Sequence, residues 1–304
     1  MKKLLFTVMF AISFIAIGQQ LPHRTQYMFN EVKLSPAFFS TYEYSPVRVS
    51  SRVQWLAIEN APRTYSLSAV KPLKKKNGIG INIYKDQLAS LNYNMVEFAY
   101  SQHLQLSEKV FFSGGLGAKF IQTNYNPENI ILNNPNDPVF TQSESSNNID
   151  LSLGFLLYKD DSYIGISSPN LLEPSLNFNS QNSVNFIPRH YYVLGSIKKD
   201  LDDDAKFTLQ PSFLLKLAAN TKTQIDVSSV IRYQDNIGIG LQYRSEDAAS
   251  VLFVFENRKY FISYSYDITT SSVRSYTGST HEITLGINLN RKVEVDCPAN
   301  PVEE

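Results

Sequence analysis

The sequence predicts an all-β fold, a transmembrane antiparallel barrel of the outer membrane with about fourteen strands and an N-terminal arm or plug. The first observation is alternation between residues 223 and 268. Ile225, Val227 and Ile231 take odd positions, with Asp226, Ser228 and Arg232 between them. After Gln234-Asp235-Asn236 the pattern resumes as Ile237, Ile239, Leu241 and Tyr243. After Ser245-Glu246-Asp247 it resumes through Val251, Phe253 and Phe255, and after Asn257-Arg258-Lys259 through Tyr260, Ile262, Tyr264 and Tyr266. Period two with β-branched and aromatic residues means strands, because successive side chains of a strand point to opposite faces. The second observation is length. These segments run to about ten residues, which a tilted strand needs to cross a bilayer, and Tyr243, Tyr264 and Tyr266 near their ends suit an interfacial girdle. A soluble sandwich also alternates, but turns its apolar face inward, so the pattern leaves both architectures open.

The third observation is the sorting of connections. With both termini in the periplasm, odd-numbered connections face outside. The longest, 122–149, 169–189 and 269–279, follow the fifth, seventh and thirteenth strands. The connections Lys159-Asp160-Asp161, Gln234-Asp235 and Asn257-Arg258 follow even strands and are short. Short periplasmic turns and longer outer loops are the pattern of outer-membrane barrels, and a sandwich has no reason to sort loops this way.

In chain order, residues 1–18 read as a signal peptide. Lys2 and Lys3 precede the apolar run Leu4 to Ile17, and Ala16 and Gly18 supply the small residues of a cleavage site, so the mature chain is expected to start at Gln19. Residues 19–46 do not alternate and carry Pro22 and Pro36 among Tyr27, Met28 and Phe29, which suits a periplasmic arm or a plug. The barrel is expected over 47–290, with strands at 47–56, 64–71, 78–85, 91–102, 109–121, 150–158, 162–168, 190–198, 205–217, 223–233, 236–244, 249–256, 259–268 and 280–290. The fourth changes phase between Leu91-Tyr93 and Val96-Phe98-Tyr100, so a bulge or short break is expected there. Residues 291–304 form a periplasmic tail holding the single cysteine, Cys297, which has no partner for an internal disulfide.

Several function classes lose support. Twenty-eight basic residues balance twenty-eight acidic ones, so there is no electrostatic case for nucleic acid. The four histidines are scattered without zinc-site spacing, and Gly165-Ile166-Ser167-Ser168-Pro169 lacks the final glycine of a nucleophile elbow. No catalytic residue, cofactor or metal is therefore assigned. Asp137 and the run Asp202-Asp203-Asp204 invite calcium, but neither has EF-hand spacing, and turn chemistry accounts for both.

Scattered blocks resemble the PorP/SprF family of type IX secretion outer-membrane proteins. They are Gln26-Tyr27-Met28 with Asn30, Ser35-Pro36-Ala37, Arg52-Val53-Gln54-Trp55, Ala61-Pro62, Ser167-Ser168-Pro169-Asn170, Arg189-His190, Pro211-Ser212, Tyr243-Arg244 and Tyr264-Ser265-Tyr266-Asp267. Ser35 stands where the family more often has Asn, and Phe38-Phe39 replace a small pair. The resemblance implies a non-catalytic barrel in outer-membrane lipid that helps export or anchor a cognate adhesin-like surface protein, with links to gliding motility or to periplasmic secretion components. The alternative is a channel or transporter for small solutes. Candidate partner contacts are Tyr27, Met28 and Trp55 in the resembling blocks, and Phe140, Leu171, Leu172, Phe178 and Phe186 in the two longest outer loops, where apolar residues mark interaction sites or pack over the mouth.

Overall fold

The computed structural model describes residues 23–127, 143–176, 185–219 and 221–291. The expected signal peptide, most of the C-terminal tail with Cys297, and Asp137 lie outside the described residues.

Fourteen antiparallel strands close on themselves. They are β1 Ser45–Val53, β2 Arg63–Leu73, β3 Asn77–Leu88, β4 Leu91–Gln105, β5 Phe111–Tyr125, β6 Glu144–Lys159, β7 Ser162–Asn170, β8 His190–Ser196, β9 Phe207–Ala218, β10 Gln224–Tyr233, β11 Ile237–Arg244, β12 Ala248–Glu256, β13 Tyr260–Thr269 and β14 Thr280–Leu289. Each pairs with its sequence neighbours, and β1 pairs with β14 from Ser45 opposite Leu289 to Val53 opposite His281. Closure leaves neither β1 nor β14 as a free edge, which is the condition for a sheet to sit in hydrocarbon.

The face that points outward decides between barrel and sandwich. On β11, Ile237, Ile239, Leu241 and Tyr243 are exposed, whereas Gly238, Gly240, Gln242 and Arg244 are buried. In the middle of β4, Phe98 and Tyr100 are exposed, whereas Glu97, Ala99 and Ser101 between them are buried. Apolar residues outside and polar residues inside invert the soluble pattern and match a surrounding solvent of lipid.

The alternation predicted every strand, with local differences. The expected break in β4 does not occur: its register with β3 and β5 is continuous from Leu91 to Gln102. Tyr93 and Met95 instead point inward and join Tyr84 and Ile121 in a small apolar cluster, so the phase change marks an apolar stretch of the inner face. The register shifts between β7 and β8, where Asn170 faces His190 but Ser167 faces Tyr192. The first strand also ends at Val53, before the expected limit of 56, because Trp55 adopts a left-handed backbone with φ of 57°.

The two longest connections, 126–143 and 171–189, lie with 270–279 at one end, here the loop end. The opposite turn end carries the tight connections 74–76, 160–161, 234–236 and 257–259. One longer turn, 197–206, belongs to the turn end. There the Asp202 carboxylate accepts from Lys206 N and Phe207 N at 3.2 and 2.7 Å, which is turn capping. In the same turn, burial alone would lower the Lys198 pKa, but Asp235 and Asp161, at 2.9 and 3.0 Å, hold it above its ordinary value.

Candidate functional site in the barrel lumen

Residues 23–44 run through the lumen from the loop end to the start of β1 at the turn end. Lacking alternation, they fold as three single turns of 3-10 helix, Tyr27–Phe29, Glu31–Lys33 and Pro36–Ser40. Ser35 caps the last by accepting from Ala37 N at 3.3 Å, and Pro36 supplies a pre-set φ at its first position.

Short turns leave backbone groups unpaired, and the wall answers with serines. Ser167 donates to Leu34 O at 2.9 Å and Ser113 to Ala37 O at 2.7 Å. Tyr27 OH lies 3.1 Å from Ser212 Oγ and 3.2 Å from Ser228 Oγ. Ser263 and Thr284 donate to Gln26 Oε1, and Asn30 exchanges bonds with Ser68. These partners come from strands around the whole circumference, so the segment is enclosed. Contact is close enough to require glycine in the wall. A Cβ at Gly78 would fall 1.9 Å from Phe39 O, and one at Gly115 2.4 Å from the Pro36 carbonyl carbon.

The lumen divides into two halves. Toward the turn end it holds an apolar septum, in which Leu156, Leu194, Leu214, Val230, Leu252, Val254 and Phe261 point inward and pack on Phe29, Val32, Leu34, Phe38 and Phe39 of the segment, with Glu256 between Arg48 at 3.5 Å and Arg232 at 3.9 Å beside it. Each buried large side chain contributes roughly 1.5–3 kcal/mol, so this septum holds the segment strongly. Toward the loop end the lumen is charged. Arg52 reaches Asp267 at 2.9 Å and Glu282 at 3.2 Å, and Arg244 reaches Asp226 at 3.2 Å and Asp247 at 2.9 Å. Thr25 sits among them: its N–H donates to Glu282, its hydroxyl to Asp267, and the hydroxyl oxygen accepts from both arginines. Charge-assisted bonds of this kind are the stronger ones, and here they clamp the entry of the segment. Beside the clamp, the His23 imidazole lines a small pocket with Lys216 and Gln224.

The blocks that carried the family resemblance meet here. Arg52, Arg244 and Asp267 share Thr25; Ser265, with Ser263 beside it on β13, reaches Gln26; Ser212 reaches Tyr27; and Ser167 reaches Leu34. Strands and segment far apart in sequence thus form one interface inside the barrel. Sequence reasoning placed these residues on polar faces without finding their common partner. The available signal was serine recurring at inward positions of strand after strand.

The candidate partner contacts do not converge. Tyr27 and Met28 are buried in the lumen and contact the wall. Trp55 is half-buried at the loop end, its N–H donating to Thr280 at 3.1 Å. Leu172 is 51% exposed and Leu171 half-buried, where Asp150 of β6 accepts from both backbone N–H groups at 2.8 and 3.0 Å. Phe140 and Phe178, and the side chain of Phe186, lie outside the described residues.

A closed fourteen-stranded barrel, apolar outside and filled by its own N-terminal segment, defines an outer-membrane β-barrel protein. The family model described as type IX secretion system membrane protein PorP/SprF matches residues 16–287. The chain belongs to that family and is a type IX secretion membrane component. No curated protein matches the sequence. Among solved structures, a mutant of the TodX monoaromatic hydrocarbon channel is similar at 11% identity and a TM-score of 0.50, covering 86% of this chain and 94% of that one. The CymD monoaromatic hydrocarbon channel is similar at 13% identity and 0.48, covering 90% and 94%. The toluene transporter TodX of Pseudomonas putida is similar at 9% and 0.45, covering 85% and 92%. At such identities the likeness concerns the barrel fold alone.

Proposed function

We propose that the protein is a non-catalytic accessory barrel of type IX secretion, exported by a cleaved signal peptide, that supports export or surface anchoring of a cognate adhesin-like surface protein. The family match over nearly the whole chain carries this reading. The filled lumen supports it over a small-solute channel, because an apolar septum interrupts the polar path that conduction needs. In this reading the barrel is a scaffold and the loop end meets the cargo, as loops on rigid scaffolds commonly do. Leu171 and Leu172, tethered by Asp150 at the base of the 171–189 loop, are proposed contacts, with Trp55 beside the 270–279 loop. Gliding motility follows only where the cognate cargo is a motility adhesin.

The test is surface proteomics of a deletion strain and of a strain with the 171–189 loop shortened. Deletion is expected to remove one or a few surface proteins and leave other secreted proteins in place. Shortening the loop should weaken cargo retention while the barrel still inserts. An unchanged surface proteome together with lost uptake of a small nutrient would replace this reading with transport. N-terminal sequencing of the purified protein should begin at Gln19.

A further inference from the structure

The strand register draws a sharp boundary on the lipid-facing surface of β1 to β6. One row of outward side chains, Val49, Leu67, Ile83, Val96, Phe120 and Ile149, is apolar, each residue paired with the next. Two residues nearer the loop end, the outward row on β2 to β6 is Tyr65, Lys85, Asn94, Gln122 and Asn147. The row beyond it is Arg63, Gln87, Asn92, Asn124 and Ser145. None of the residues in these two rows is aliphatic, and all reach the surface. The hydrocarbon face therefore ends between Ile83 and Lys85, while the sheet continues past it. The other side of the barrel differs. On β10 to β13 the outward side chains stay apolar to the strand ends, at Ile225, Tyr243, Ala249 and Ile268. The polar surface thus belongs to one side of the barrel.

Adjacent rows lie about 7 Å apart along a strand, and a headgroup layer is about 5–8 Å thick, so the two polar rows occupy headgroup depth. Their chemistry has two parts. Arg63 and Lys85 are exposed and lie diagonal to each other on neighbouring strands. Among the described residues neither forms an ion pair. A guanidinium and an ammonium at that depth suit a phosphate. The amides are the second part. Gln87 donates to Asn92 Oδ1 at 3.2 Å, and Asn124 donates to Gln122 Oε1 at 3.3 Å. These bonds hold the side chains next to one another and leave each amide a further donor or acceptor. A bank of amides offers both donors and acceptors, as the hydroxyl and acylamino groups of a sugar require.

Cations, amides and an apolar row are thus stacked in the order in which a membrane glycolipid presents its parts. We propose that this outer face of β2 to β6 binds a phosphorylated glycolipid of the outer leaflet. The phosphate would meet Arg63 and Lys85, the sugars would lie along the amides of β4 and β5, and the acyl chains would cover the row from Leu67 to Phe120. A phospholipid brings the phosphate and the chains without the sugars, so the amides select the glycolipid. This inference rests on the loop end facing the cell exterior and stands independently of the secretion reading, since it concerns the lipid beside the wall and not the protein that the loops meet.

Native mass spectrometry of the purified full-length protein in detergent tests it, with bisphosphorylated lipid A, dephosphorylated lipid A and phosphatidylglycerol as probes. Bisphosphorylated lipid A should bind about tenfold more tightly, or better, than either of the others. The double variant Arg63→Gln, Lys85→Gln should lose the preference over dephosphorylated lipid A, and Lys85→Arg should keep it. The double variant Asn94→Leu, Gln122→Leu should lose the preference over phosphatidylglycerol. Each variant is first checked for the heat-dependent gel shift of a folded barrel, and should one double variant misfold, the other decides. Equal affinity for bisphosphorylated lipid A and phosphatidylglycerol overturns the proposal, as does tight lipid A binding that both double variants retain.

Discussion

Replacing Arg52 with methionine should loosen the N-terminal segment without dismantling the barrel. Arg52 is 5% exposed and touches Asp267, Glu282 and Thr25. Methionine keeps much of the volume and removes the charge, leaving two buried carboxylates without their shared partner. Breaking a buried ion pair from one side costs about 3–5 kcal/mol. The lower figure applies, because Arg244 still donates to Thr25 and the mouth can admit water. The backbone ladder of β1 with β2 and β14 does not involve this side chain, so the cost falls on the docked segment. About 3 kcal/mol shifts a closed-to-open ratio on the order of a hundredfold. In planar bilayers the unaltered protein is expected to conduct poorly, and Arg52→Met to show frequent openings. The triple variant Arg52→Met, Asp267→Asn, Glu282→Gln removes the stranded charges and should return toward the closed behaviour. The reasoning is refuted if Arg52→Met inserts normally yet conducts no more than the unaltered protein, or if the triple variant opens as often as the single one.

Gly115→Val places carbon where the Pro36 carbonyl and Ala37 nitrogen lie within 2.5 Å, which should displace the Pro36–Ser40 turn and expose Lys33 to trypsin while the barrel keeps its heat-dependent gel shift; continued resistance would show that the turn shifts in place. Asp150→Ala removes the acceptor of the exposed Leu172 N–H, while the Leu171 N–H keeps Leu151 O at 2.9 Å, and should raise hydrogen exchange at Leu172 more than at Leu171 with little change in β6; unaltered exchange would mean that the loop base is held otherwise. For orientation, in a Cys297→Ser background a cysteine at Leu172 should react with an impermeant reagent on intact cells and one at Asp203 should not, since they lie at opposite barrel ends; the reverse pattern would invert the barrel. Ser113→Ala deletes the donor to Ala37 O and should lower the thermal midpoint of segment release by the equivalent of about 1 kcal/mol, read by trypsin cleavage at Lys33 across a temperature series.

The strands were legible in the sequence because a barrel wall has one solvent on each side. Ile237, Ile239, Leu241 and Tyr243 face lipid while Gly238, Gly240, Gln242 and Arg244 face the lumen, and a period of two records that division residue by residue. The sorting of long and short connections was legible for a related reason, since hairpins alternate between the two ends. The pattern failed where the inner face is itself apolar. Tyr93 and Met95 made β4 look broken, and Leu252, Val254 and Phe261 gave no sign that half the lumen is a hydrophobic core. What fills that lumen was decided only by the tertiary structure. Residues 23–44 have no periodicity because a chain inside a barrel contacts wall on every side, so no face of it is privileged. Thr25 meets Arg52, Arg244, Asp267 and Glu282, residues 27 to 257 positions away by chain order. Such contacts follow from closure of the sheet, which brings β1 beside β14 and places every inward side chain within reach of one segment.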